Sequence, residues 1–164
     1  MNWRGEVLDI HIAPNGSAVM QPLGEARLMA GVGIEGDRYA TGLGTYSHRP
    51  HIDRQVTLIE VETLEALERD RRIELAPGEH RRNMTTRGVP LNHLVGHYFR
   101  VGECVLYGGR LNVPCIHLET LTGKKVFKCT ASMGVDRAVR RDLQRLLRSG
   151  SSWPVSSRPV RRRS

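Results

Sequence analysis

Short apolar or β-branched runs recur along this chain between loops rich in glycine and polar residues, without the regular strand–helix–strand alternation of a parallel sheet. "EVLDIHI" alternates, with Leu8, Ile10 and Ile12 on one side, and stops at Pro14-Asn15-Gly16, which predicts a strand and a turn. "RQVTLIE" reads as a strand, and "VETLEALERDRR" as a helix with Val61, Leu64 and Leu67 beneath a charged face. "LNHLVG" suits a short helix ending at Gly96, and "YFRVGECVLYGG" a hairpin around Gly102-Glu103. "RLNVPC" continues into another short strand, with Pro114 at its end or at a bulge because proline has no N–H for a ladder. The expectation is a mainly β fold with interposed helices, closed most simply as a barrel.

After Gly134 the texture changes. Val135, Val139, Leu143 and Leu146/Leu147 share one helical face while arginines occupy the others, so residues 135–149 are predicted as an amphipathic basic helix. The stretch 150–164, "GSSWPVSSRPVRRRS", is Ser/Pro/Arg-rich and predicted to be a disordered basic tail, leaving 1–134 as the β domain.

Charge narrows the function classes. The net charge is +8, which favours anionic ligands or partners. Four of those positive charges are Arg158, Arg161, Arg162 and Arg163, so the domain itself is only mildly basic. Aromatic residues make up 5%, and none are interleaved with basic residues as a base-stacking surface requires, which argues against nucleic acid. The opening "MNWRGEVLDIHIAP" has no long apolar run, so neither a secretory signal nor a membrane span is expected, and residence is expected to be cytoplasmic. Cys104, Cys115 and Cys129 are odd in number and lack C-x-x-C spacing, which disfavours a disulfide framework or a structural zinc.

Several motifs invite chemistry. Gly31, Gly33 and Gly36 match G-x-G-x-x-G, but "DRYATGLG" follows where a dinucleotide site needs a helix start, so a tight loop is the better account. His93 and His97 stand four apart, yet no third metal ligand is placed by spacing. His48 and His51, near Arg54, either line an anion pocket or decorate a loop. Arg81 to Gly88 gathers guanidinium, amide and hydroxyl donors of the kind that bind phosphate, though a solvated turn explains it as well when read alone. Asp37 and Arg38 either pair with each other or approach the same pocket. Cys115, at the exit of a β segment, is either a packed small hydrophobe or a thiolate made reactive by nearby cations; locally, packing leads.

Taken together and in order, "GIEGDRY", "RQVTLIE", "RRNMTTRGVPLNHLVGHYFRVGE" and "NVPCIHLETLTGKKVF" resemble the MOSC family, the domain named for the C-terminus of molybdenum cofactor sulfurases. The resemblance implies a β-barrel that binds molybdenum cofactor, or transfers sulfur to it, or serves reduction of N-hydroxylated compounds with it. The family's motif cysteine falls on Cys115, which would ligate molybdenum or carry persulfide sulfur. Arg82, Asn83 and Thr85, with Arg38 and Arg54, would hold pterin and phosphate. Larger family members carry a pyridoxal-phosphate domain that supplies sulfur; no pyridoxal-phosphate site is expected here, so a sulfur or electron donor protein would act in trans. The family usually closes its barrel with a last strand bearing a Gly-Asp turn, and "GVDRAVRRDLQRLLRSGSSWPVSSRPVRRRS" departs from that pattern. Closure is therefore open, and an unpaired edge would favour a homodimer. The contrasting expectation is a non-catalytic basic module docking an acidic partner or nucleic acid.

Overall fold

The computed structural model describes residues 2–112, 116–126, 135–139, 145–148 and 152–156, the last three segments by backbone course and pairing. Strands β1 (Asn2–Ile12), β2 (Gln21–Leu23), β3 (Glu25–Met29), β4 (Gly33–Ile34) and β5 (Val56–Glu60) lead into helix α1 (Val61–Arg71). Then come β6 (Met84–Arg87), a 3-10 turn at Leu91–Leu94, β7 (Tyr98–Val101), β8 (Cys104–Leu111), α2 (Ile116–Thr122), β9 (Val135–Val139), β10 (Arg145–Arg148) and β11 (Ser152–Ser156). The main sheet runs β11-β1-β6-β5-β9-β8-β7, with β2 added beside β1, and a second sheet runs β10-β3-β4. Among the described strands β5 and β6 are the pair that runs parallel, with α1 making the crossover that parallel neighbours need. Among the described residues the hydrogen-bonded path does not close into a barrel, although its end strands, β11 and β7, lie against each other.

The core sits between the sheets. Val7, Ile10, Leu58, Met84, Phe99 and Leu106 from the main sheet meet Ala26, Leu28 and Ile34 from the smaller one. On the outer face, Ile59 packs with Leu67 of α1 and Leu118 of α2. β5 is therefore covered on both sides, and Val56 to Ile59 are all buried rather than alternating for that reason.

Two expectations need correction. Among the described side chains of β1 the buried ones are Val7, Ile10 and His11, with Leu8 and Ile12 partly buried, in place of the expected set Leu8, Ile10 and Ile12, because the register with β6 shifts between Val7 and Asp9. A bulge there adds a residue and changes which side chains face inward. In 135–149, expected as one helix, β9 and β10 are strands, and in the expected tail β11 pairs with β1. Spacing that fits a helix was outweighed by unpaired backbone: β5 and β8 both need a partner, and β9 bonds to each. Arg158, Arg161, Arg162 and Arg163 lie outside the described residues, as do Pro114, Cys115 and Cys129.

Where the patterning was strong, it held. α1 and the β7–β8 hairpin fall as expected, with Gly102 at φ 54 opening the two-residue turn. Gly33 has φ 126, and a Cβ there would sit 2.5 Å from the Gln55 carbonyl oxygen, so the G-x-G-x-x-G stretch serves a tight β3–β4 connection. Among the described residues no helix is long and apolar enough to cross a membrane.

Candidate functional site

Three loops meet at one end of the main sheet: 13–20 after β1, 35–55 between β4 and β5, and 72–83 before β6. Asp37 and Asn83 hold them together. Asp37 is fully buried; its Oδ1 accepts from the Ala13 N–H at 3.2 Å, Arg38 Nη1 at 3.0 Å and Asn83 Nδ2 at 3.1 Å. Asn83 Nδ2 also donates to the His11 carbonyl at 3.0 Å, while its Oδ1 accepts from the Thr57 N–H at 3.1 Å and the Thr57 hydroxyl at 2.9 Å. One amide thus ties β1, β5 and the 35–55 loop. Polar groups buried this deeply are stable because each has its partner.

Above this knot opens a cavity of about 220 Å³ whose described wall carries Arg38, Arg54, Arg81, Arg82 and Arg110 and no carboxylate. Tyr39, Thr45, Tyr46, Thr57, Asn112 and His117 add polar and aromatic lining. Arg38 is anchored by Asp37 and by Nη2 donating to the Arg81 carbonyl at 3.0 Å. Arg81 has φ 64, and its guanidinium donates to the carbonyls of Ala18 and, at 2.6 Å, Gly16. Burial first, and the Arg38 guanidinium next, push Arg81 down to about 10. It stays charged at neutral pH, and the smaller part of its shift, the one that comes from the Arg38 guanidinium, is what an anion between them would relieve. Arg54 Nη1 donates to the Tyr46 carbonyl at 3.1 Å and to that of Arg49, with its guanidinium 5.6 Å from the Tyr46 ring centre. Arg110 faces Asp53 at 3.8 Å.

His117 reaches in from α2, its Nε2 3.2 Å from Thr45 Oγ1 and its ring edge-on to Tyr46. Asn112 and His117 flank the segment that contains Cys115, and both line the cavity.

The expected site residues therefore separate. Arg38, Arg54 and Arg82 come together on the wall. Asn83 and Thr85 lie behind it in the core, Thr85 Oγ1 being 3.2 Å from His80 Nε2. Asp37 pairs with Arg38. His48 is exposed away from the cavity, and among the described residues no group of His, Cys, Asp and Glu is arranged to hold a metal, His93 and His97 included. Arg81, Arg110, Tyr46, Thr45 and His117 were not singled out as wall residues. Arg81 lay within a stretch read for its donors, whereas no local pattern distinguishes the others.

An anion site of this kind should stabilise the fold when filled. Orthophosphate at 100 times its Kd should add about 2.7 kcal/mol, seen as a rise of about 5–10 °C in Tm over chloride at matched ionic strength. Arg54→Ala should remove most of that rise.

A family description reading "MOSC domain" matches residues 20–152. No curated protein sequence matches the chain significantly. Among solved structures, the YuaD protein from Bacillus subtilis superposes with a TM-score of 0.77 at 18% identity, covering 96% of this chain and 98% of that one. YiiM from Geobacillus stearothermophilus gives 0.67 at 15%, covering 95% and 77%, and YiiM from Escherichia coli gives 0.60 at 18%, covering 96% and 71%.

Proposed function

The chain belongs to the MOSC domain family, and from that premise we propose that it binds molybdenum cofactor in the arginine-lined cavity, with Cys115 as its thiolate. The observation that carries this reading is the convergence of five guanidiniums on a cavity bordered by both flanks of the Cys115 segment. Such a donor set fits a ligand that brings a phosphate and a pterin: guanidiniums fork onto phosphate oxygens, and Tyr46, Thr45 and Asn112 offer a ring face and hydrogen-bonding groups. Because the cofactor brings its own dithiolene sulfurs, a single soft protein ligand suffices, and a cysteine thiolate is of that class.

Roles within the wall follow from what each group already does. Arg54, Arg82 and Arg110 contact the anionic ligand. Arg38, anchored by Asp37, fixes the charge and shape of the floor. Asn83 and Thr85 support from behind it. When bound, the cofactor supplies molybdenum and sulfur chemistry: sulfur transfer, or reduction of N-hydroxylated substrates. Cys115 either ligates the metal or carries sulfane sulfur as a persulfide, and the sulfur or electrons come from a donor protein in trans in the cytoplasm.

The guanidiniums should hold the Cys115 thiol in its thiolate form. Iodoacetamide on the native protein, followed by peptide mass mapping, should modify Cys115 at least about tenfold faster than Cys104, which is wholly buried in the core. Cofactor loading should protect Cys115. Equal, slow modification of both would contradict its assignment.

A further inference from the structure

Beside the arginine cavity lies a second cleft of about 460 Å³, separated from the first by Tyr39, Tyr46 and Arg54, which line both. Its chemistry is different. Besides the two tyrosines it presents Pro50 and two exposed aliphatic residues, Val32 and Ile52, with exposures of 42% and 65%. Ser47, His51 and Gln55 add hydrogen-bonding atoms, and among the described residues no carboxylate lines it. Asp53, the acid nearest in sequence, is turned toward His51 and Arg110. Exposed apolar surface collected in a concave site with a few polar groups is the usual make-up of a small-molecule site, and the volume is in the range of one.

The cation sets the ligand's charge. Arg54 uses Nη1 on the Tyr46 and Arg49 carbonyls, which holds its planar fork at the boundary of the two spaces. A guanidinium fixed in this way favours a carboxylate or similar anion, while rings and aliphatic walls favour a flat apolar body. We propose that this cleft binds a planar aromatic acid, its ring against the tyrosines and Ile52 and its anionic group toward Arg54. Binding itself is independent of the cofactor reading. That the ligand is the substrate, presented across Arg54 to the chemistry in the first cavity, rests on that reading.

Benzoate is the probe, with ligand-observed NMR and calorimetric titration on the full chain. Ile52 is mostly solvent-exposed, so Ile52→Glu and Ile52→Arg leave the core intact. Benzoate should bind the wild type more tightly than neutral benzamide. Ile52→Glu should weaken benzoate about tenfold by placing a like charge at the wall, and Ile52→Arg should preserve or tighten it. Benzoate binding that ignores both substitutions would assign it to the arginine cavity and overturn the proposal. Molybdenum loading of the wild type is the separate readout. A chain that binds benzoate as described but takes up no metal upholds the cleft and sinks the cofactor reading; one that loads metal but shows no Ile52-dependent benzoate binding does the reverse.

Discussion

Asn83→Ala should cost about 3–6 kcal/mol, enough to leave a large share of the chain unfolded at 37 °C, because two or three buried groups each lose a hydrogen-bond partner, at about 1–3 kcal/mol each. The groups are the Thr57 N–H, the His11 carbonyl and one of the bonds to Asp37 Oδ1. Urea denaturation followed by circular dichroism reads this as a large fall in midpoint. Asn83→Asp separates the causes. It keeps an acceptor for Thr57 but sets a second carboxylate about where the amide donor stood, 3.1 Å from Asp37 Oδ1, and should be nearly as damaging. A fully stable Asn83→Ala protein that merely bound anions less well would show that the amide is a ligand group and not the tie between loops.

Acid should destabilise the protein through His80. This imidazole is buried, accepts the Arg82 N–H at Nδ1 (3.1 Å), and so carries its proton on Nε2 toward Thr85. Burial first, then the Arg82 guanidinium and His11, push its pKa from 6.5 down to about 3. Above pH 6.5 neither folded nor unfolded chain protonates this ring, and it has no effect on the pH dependence. Between 6.5 and about 3 the unfolded chain takes up a proton that the folded one refuses, so stability falls with pH by about 1.4 kcal/mol per unit, or about 2.7 kcal/mol by pH 4.5. His11, whose Nδ1 is buried with no hydrogen-bond partner among the described residues and whose pKa burial also lowers, acts in the same direction. His80→Asn retains an acceptor for the Arg82 N–H and removes the titration, so it should flatten the loss between pH 7 and 4.5 measured by urea midpoints. An equally steep loss in the variant would mean that other groups carry the acid response.

Both predictions turn on residues whose type was visible in the sequence and whose role was not. Arg38, Arg54 and Arg82 were expected as anion ligands from the motif loops that carry the family resemblance, and the structure brings the three together on one wall. Asn83 sits in the same donor-rich stretch, but whether an amide faces a ligand or its own backbone depends on contacts with β1 and β5, far away in sequence. His117 and Tyr46 meet across a long separation, which no spacing rule reports. In the fold, α1 and the β7–β8 hairpin were legible since their patterns are local. The bulge in β1 and the strands after Gly134 were not, because one is set by pairing to β6 and the others by the open hydrogen bonds of β5 and β8.

The central claim, that this chain holds molybdenum cofactor through Cys115, is tested most directly by co-expression with cofactor biosynthesis and measurement of molybdenum and pterin per purified chain, wild type against Cys115→Ala. The account predicts near-stoichiometric metal and pterin in the wild type and a sharp loss of metal in the variant. Equal, near-zero metal in both would contradict it.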